Sequence, residues 1–284
     1  MPIISKNDQV ILGRYNAISE INIPKMRATQ KDPVEGLKVY RAFMAELTQF
    51  LHPPGFKGVE IGSFQAERPL RPGLTAAVAV PKGPGPFPIW VHAHGHGLRA
   101  GHPWEYEGWM REIASHGFVV IFPDYRLQPE ATFENEVDDM LFAINWAKQR
   151  APELKGDVER LILGGDSSGG FLAFTILMRQ LDDPAGLRFR AFAGVDTQFN
   201  QADALIAAIK PETPLPPIYL IAGSADRNAG LPVLHFAVKM MELKKDFCLD
   251  GPYGMPHDFL KMPNLDAAKE YNLRMAQFLK NATS

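Results

Sequence analysis

A serine hydroxyl becomes a nucleophile at neutral pH only when a base takes its proton and a carboxylate orients that base. Three segments of this chain carry residues suited to those tasks. The run Leu161-Ile162-Leu163-Gly164-Gly165-Asp166-Ser167-Ser168-Gly169-Gly170 holds a Gly-x-Ser-x-Gly pattern behind an apolar strand and ahead of a helical stretch. A strand turning sharply into a helix strains its turn residue, and small neighbours on both sides leave room for that turn. The hydroxyl of Ser167 is then held out at a helix N-terminus, as a nucleophile. Downstream, Ile218-Tyr219-Leu220-Ile221-Ala222 runs into Gly223-Ser224-Ala225-Asp226, an aspartate just past a strand end. Further on, the turn-rich Tyr253-Gly254-Met255-Pro256-His257-Asp258-Phe259 supplies a histidine. We assign Asp226 as orienting acid and His257 as general base and then acid. The bland alternatives are a helix cap for Asp226 and an ordinary loop histidine for His257. Asp258 adjoins His257 and would have difficulty reaching its ring.

The developing oxyanion needs preformed N–H donors. One is expected from Ser168. The others are expected from the loop His94-Gly95-His96-Gly97, with Gly95 and His96 as donors and the His94 imidazole bracing the loop.

These residues require a sheet whose strand ends gather at one edge. Strands are expected over 58–64, 74–80, 88–94, 117–122, 159–164, 190–195, 217–222 and 246–249. Helices are expected over 104–116, 133–149, 171–181, 231–243 and 265–279. That alternation predicts a mostly parallel central sheet flanked by helices, with the ligand beyond the carboxyl ends of the strands. Val34, Leu37, Tyr40, Phe43, Met44, Leu47 and Leu51 recur at helical spacing after Asp32-Pro33, and His52-Pro53-Pro54-Gly55 stops that helix. Residues 1–30 show no strong period and are expected to drape over the body. The division is a cap or lid segment over 1–55 and a catalytic domain over 56–284, with a small cap remnant near 198–214. Trp104, Tyr106 and Trp109, with His94, are candidates to line the substrate pocket, although core packing suits the aromatic residues equally well.

The 284 residues carry 30 Lys and Arg against 32 Asp and Glu, so no basic excess points to nucleic acid. No apolar run approaches the ~20 residues of a membrane span. Cys248, the single cysteine, cannot form an intrachain disulfide, and with no signal peptide evident a cytoplasmic location is expected.

A family resemblance rests on three motifs. His94-Gly95-His96-Gly97 corresponds to a His-Gly-Gly-Gly loop, and Asp124-Tyr125-Arg126-Leu127-Gln128-Pro129-Glu130 is similar to an Asp-Tyr-Arg-Leu-Ala-Pro-Glu run. Gly165-Asp166-Ser167-Ser168-Gly169-Gly170 resembles a Gly-Asp-Ser-Ala-Gly-Gly elbow. Together they resemble the hormone-sensitive-lipase-like, bacterial carboxylesterase branch of the α/β-hydrolase fold. The resemblance implies hydrolysis of a small-molecule ester through an acyl-serine intermediate, without cofactor or metal, and makes a homodimer plausible. Three departures stand out. His96 replaces a glycine and should crowd the acyl side of the pocket or add a polar contact. The segment between Ser167 and Asp226 is short, so much of the usual cap is missing. The acidic residue often found shortly after the family's aspartate is absent from Arg227-Asn228-Ala229-Gly230. Rival readings stay open: a serine peptidase or amidase, a zinc site at His92, His94, His96 and His102, and a ligand-binding non-enzyme.

Overall fold

The computed structural model describes residues 4–29, 31–51, 58–262 and 264–284. Eight strands form one sheet: β1 (Ser63–Arg71), β2 (Leu74–Val80), β3 (Phe87–Ala93), β4 (Val119–Pro123), β5 (Gly156–Asp166), β6 (Ala191–Val195), β7 (Ile218–Ile221) and β8 (Phe247–Asp250). Their order is β1-β2-β4-β3-β5-β6-β7-β8. The pairs β1–β2 and β2–β4 are antiparallel and every later pair is parallel. This is the expected mostly parallel α/β sheet.

The central strands are apolar along their length because both faces are covered. Alternate side chains go to opposite faces: Ile89, Val91, Leu161 and Leu163 to one core, Trp90 and Ile162 to the other. The first core is closed by α4 (Phe133–Arg150), α5 (Ser167–Asp182) and α7 (Gly230–Glu242), the second by α3 (Glu107–Ser115) and α8 (Asp266–Ala282). Each fully buried Leu, Ile or Phe contributes about 1.5–3 kcal/mol, so the strand ends are held on a stiff frame.

Three expectations shift. The first strand starts at Ser63 and not at Gly58; its charged residues and Pro69 hide an edge strand whose Arg71 reaches the buried Asp139. The stretch 104–116 begins as a single turn over Pro103–Tyr106 before α3. Residues 1–30 do not merely drape: Lys6–Ala28 is a 23-residue helix, α1. The expected second helix is α2 (Pro33–Leu51), started by Asp32, whose Oδ1 accepts the N–H groups of Val34 and Glu35. Its Phe43, Met44 and Leu47 are buried while Val34 is exposed. The expected stop at His52-Pro53-Pro54-Gly55 lies outside the described residues. In the proposed cap remnant the chain forms a turn over Phe199–Gln201 and the short helix α6 (Asp203–Ala208). No described helix is long and apolar enough to cross a membrane.

Candidate active site

The end of β5 feeds straight into α5, and Ser167 takes the turn with φ +52°. A left-handed serine costs on the order of 1–3 kcal/mol, and the surroundings enforce it. A Cβ at Gly165 would strike the Gly169 carbonyl, and one at Gly169 would strike the carbonyls of Ala93 and His94. Only glycine lets elbow, helix and oxyanion loop approach so closely.

Ser167, Asp226 and His257, far apart in sequence, meet beyond the ends of β5, β7 and β8. Ser167 Oγ lies 3.0 Å from His257 Nε2, and His257 Nδ1 lies 2.8 Å from Asp226 Oδ2. Asp226 also does what its bland reading foresaw: Oδ1 accepts the N–H groups of Asn228 and Ala229 at 2.8 and 2.9 Å, capping the turn into α7. Burial would raise the Asp226 pKa, but the His257 bond and charge, then those two N–H groups, hold it below the usual carboxylate range. Burial would likewise depress His257. The Asp258 charge, the Asp226 bond and the surrounding acids outweigh it and push the imidazole up to about 10.

The oxyanion loop corrects one assignment. Gly95 N–H does not face an open position; it donates to Tyr106 Oη at 3.1 Å. Among the described residues the N–H groups of His96, Gly97 and Ser168 donate to no protein acceptor. His96 and Gly97 have φ +70° and +67°, turning the chain left-handed at the residues that keep free donors. Ser168 belongs to the first turn of α5, where helix N–H groups lack partners by construction. The His96 ring does not crowd an acyl pocket. It is buried against Gly101, where a Cβ would strike Nδ1, with Glu105 Oε2 3.4 Å away. Burial pushes its pKa down to about 3. The His94 ring stacks on Tyr125 (centroids 4.4 Å), its Nδ1 lies 3.1 Å from the Gly95 carbonyl, and Tyr125 Oη donates to the His94 carbonyl.

Of the pocket candidates, His94, Tyr106 and Trp109 are core residues; Trp109 Nε1 donates to Asn272 Oδ1. Trp104 is 43% exposed. A cavity of about 420 Å³ instead opens beside Gly97, lined by Leu98, Phe133, Phe171 and, from α2, Tyr40. The four histidines of the zinc reading face separate partners: His92 contacts Asp166 at 3.0 Å, and His102 contacts Asp124 at 3.1 Å.

A buried polar network behind the site was not read from the sequence. Lys261 Nζ, 2% exposed, lies 2.7 Å from Asp166 Oδ2 and 2.5 Å from Asp258 Oδ1. Tyr106 Oη donates to the same Asp166 oxygen at 3.2 Å, so elbow, oxyanion loop and histidine loop share one buried ion cluster. Burial would raise Asp166, but Lys261 and His92 hold its carboxyl far below the usual range. Asp196, at the end of β6, also lies beside His257. The available signals were an aspartate directly after a strand, and an acid and a lysine three residues apart.

The segment 90–206 matches a family model described as the alpha/beta hydrolase fold. Hormone-sensitive lipase of Ictidomys tridecemlineatus is 38% identical over 73 residues, which are 26% of this chain and 9% of that protein. Carboxylesterase NlhH of Mycobacterium tuberculosis is 38% identical over 68 residues, 24% of this chain and 21% of that protein. The matched stretch thus spans only a small part of these relatives. The solved structure of a Pyrobaculum calidifontis esterase superposes with TM-score 0.74 at 21% identity, covering 91% of this chain and 98% of that one. Sheet order, elbow and superposition define an α/β hydrolase. Within that fold, the segment its sequence shares with known proteins is similar to hormone-sensitive lipase and to a bacterial carboxylesterase.

Proposed function

We propose that the chain is a serine-dependent carboxylic ester hydrolase acting on a small or medium ester, with Ser167, His257 and Asp226 as its triad. The observation that carries this reading is the continuous relay Ser167 Oγ–His257–Asp226, with contacts of 3.0 and 2.8 Å. His257 Nε2 takes the Ser167 proton as Oγ attacks the ester carbonyl, and Asp226 keeps Nδ1 protonated and stabilises the imidazolium. The tetrahedral oxyanion is received by the free N–H groups of His96, Gly97 and Ser168 at the positive end of α5. His257 then protonates the leaving alcohol. Water, deprotonated by the same imidazole, releases the acid from Ser167. In this reading α1 and α2 form the lid: Tyr40 walls the cavity next to Gly97, and Arg41 binds the Arg99 carbonyl at 3.0 Å. The reading is also consistent with esterase relatives such as NlhH.

The test is a panel of p-nitrophenyl esters of increasing acyl length beside matching amides, for the native protein and Ser167→Ala. Ester turnover is expected to exceed amide turnover by orders of magnitude and to fall by at least about 10³-fold in Ser167→Ala with folding intact. A serine-reactive phosphonate should label the native protein once and the variant not at all. Near-native turnover by Ser167→Ala rules the mechanism out.

A further inference from the structure

The carboxyl of Asp196 has no task in the relay described so far, yet it is fully buried beside it. β6 and β7 are neighbours in the sheet, so Asp196 and Asp226 follow adjacent strand ends. Asp196, Asp226 and His257 each bring one polar atom into a cluster whose members all lie within 4.8 Å of one another. Asp196 Oδ2 accepts the N–H of Asp258 at 2.9 Å, which ties it to the residue next to His257. Its Oδ1 is buried with no hydrogen-bond partner among the described residues. The backbone at Asp196 is left-handed, φ +43°, a conformation that costs energy in a non-glycine residue. A strained, buried carboxyl with an orphaned oxygen beside the catalytic pair is costly to keep for packing alone.

We propose that Asp196 is a second acid of the relay: a neutral carboxyl in the resting protein that ionises and orients His257 when the charge of Asp226 is lost. The inference rests on the serine hydrolase reading. Two carboxyls this close and this buried do not both ionise readily. Asp226 accepts three hydrogen bonds and keeps the charge, whereas Asp196 accepts one and keeps the proton. Burial raises the Asp196 pKa, and the carboxylates of Asp226 and Asp258 raise it further against the opposing charge of His257. A proton on Oδ1 turns the orphaned acceptor into a donor. Removing the Asp226 charge removes the nearest repulsion. Asp196 then loses its proton to solvent, and a side-chain rotation brings its carboxylate to the imidazole.

The experiment is a double-mutant cycle on kcat/KM for a p-nitrophenyl ester across pH. It uses Asp226→Asn, Asp226→Ala, Asp196→Asn and the two double variants, with Ser167→Ala as reference. The alanine variant guards against an asparagine amide that could force the wrong imidazole tautomer. The Asp226 variants should each lose no more than about 10²-fold. Adding Asp196→Asn should carry the loss to about 10⁴-fold, the cost of a relay without its acid. Asp196→Asn alone should cost less than about tenfold, so the two effects are strongly non-additive. The rate of the Asp226 variants should also rise with pH along a limb that the double variants lack, as Asp196 ionises. An Asp196 that only packs would cost the same in both backgrounds, and that result overturns the proposal. So does an Asp226 single variant already as slow as the doubles. Should both Asp226 variants fail to fold, infrared spectroscopy of the native protein decides. A protonated-carboxyl stretch at neutral pH that vanishes in Asp196→Asn supports the proposal, and its absence sinks it. Full activity of Ser167→Ala would overturn the hydrolase reading instead, while the infrared band still reports on Asp196.

Discussion

At the scale of single residues, the site is governed by an excess of buried acid. Asp226, Asp258, Asp196 and Asp166 surround His257 and Lys261, and Lys261 is the one buried lysine among the described residues. In the proposed mechanism His257 must be neutral to accept the Ser167 proton; against burial, the Asp258 charge and the Asp226 bond and charge favour the charged ring and push it up to about 10. The sign follows directly: protonation disables the base, so kcat/KM should climb as pH rises through neutrality and keep climbing toward pH 10. Asp258→Asn removes an anion whose Oδ1 lies 3.7 Å from His257 Nε2, and should move the limb down by about one unit. A pH–rate profile checks both; a native plateau reached by pH 7 contradicts them. Lys261 carries the opposite charge between Asp166 and Asp258. Lys261→Met leaves both carboxylates buried without their cation and should cost about 3–5 kcal/mol in urea unfolding. The contacts that join Ser167, His257 and Asp226, and the place of Ser168 at the start of α5, were legible because motif spacing and strand ends fix them. The loop donors were legible only in part. Sequence named the loop, but which N–H stays free depends on Tyr106 accepting from Gly95, a contact between residues with no shared local pattern.

At the scale of elements, the sheet and the helices of the body were readable because period and capping agree with burial. Thr132 and Asn135, for example, form a reciprocal cap at the start of α4. The helix α1 was not readable because polar residues occupy its buried positions. Asp8 and Asn22 are 3% and 5% exposed, in places where an amphipathic pattern calls for apolar side chains. Asn22 Nδ2 donates to Glu46 of α2 at 2.9 Å. Asp8 accepts the N–H groups of Asp266 and Ala267, so one helix caps the first turn of another, α8. Docking through hydrogen bonds leaves little hydrophobic period to detect. Asp8→Ala should therefore cost about 1 kcal/mol, the ordinary value of a helix cap. It should also raise amide hydrogen exchange in α1 and the first turn of α8 while the central strands stay protected. Uniform exchange across the molecule would mean that α1 is not held by this contact.

At the scale of the whole molecule, the cavity is built by two parts of the chain that the sheet does not join. Leu98, Phe133 and Phe171 come from the body, with the two phenylalanine rings stacked at 5.2 Å, and Tyr40 comes from α2. Tyr40 Oη sits so near the oxyanion loop that a Cβ at Gly97 would lie 3.1 Å from it. The α2 wall is held by the Arg41–Glu130 pair, bidentate at 3.0 and 2.9 Å but largely exposed, and by the buried stripe of Phe43, Met44 and Leu47. An exposed pair adds little stability, so the apolar stripe sets the wall's position. If the lid helix defines the acyl space, shortening its side chain there should relax selection by length and leave the chemical step in place. Each methylene accommodated in an apolar pocket is worth about 1–3 kcal/mol of discrimination. Tyr40→Ala should accordingly shift the preferred acyl chain toward longer p-nitrophenyl esters. kcat/KM for the longer members should rise at least about tenfold relative to acetate, with the pH limb of His257 unmoved. A native and a variant series that run parallel across acyl length would place the acyl group elsewhere and return α2 to a purely structural role.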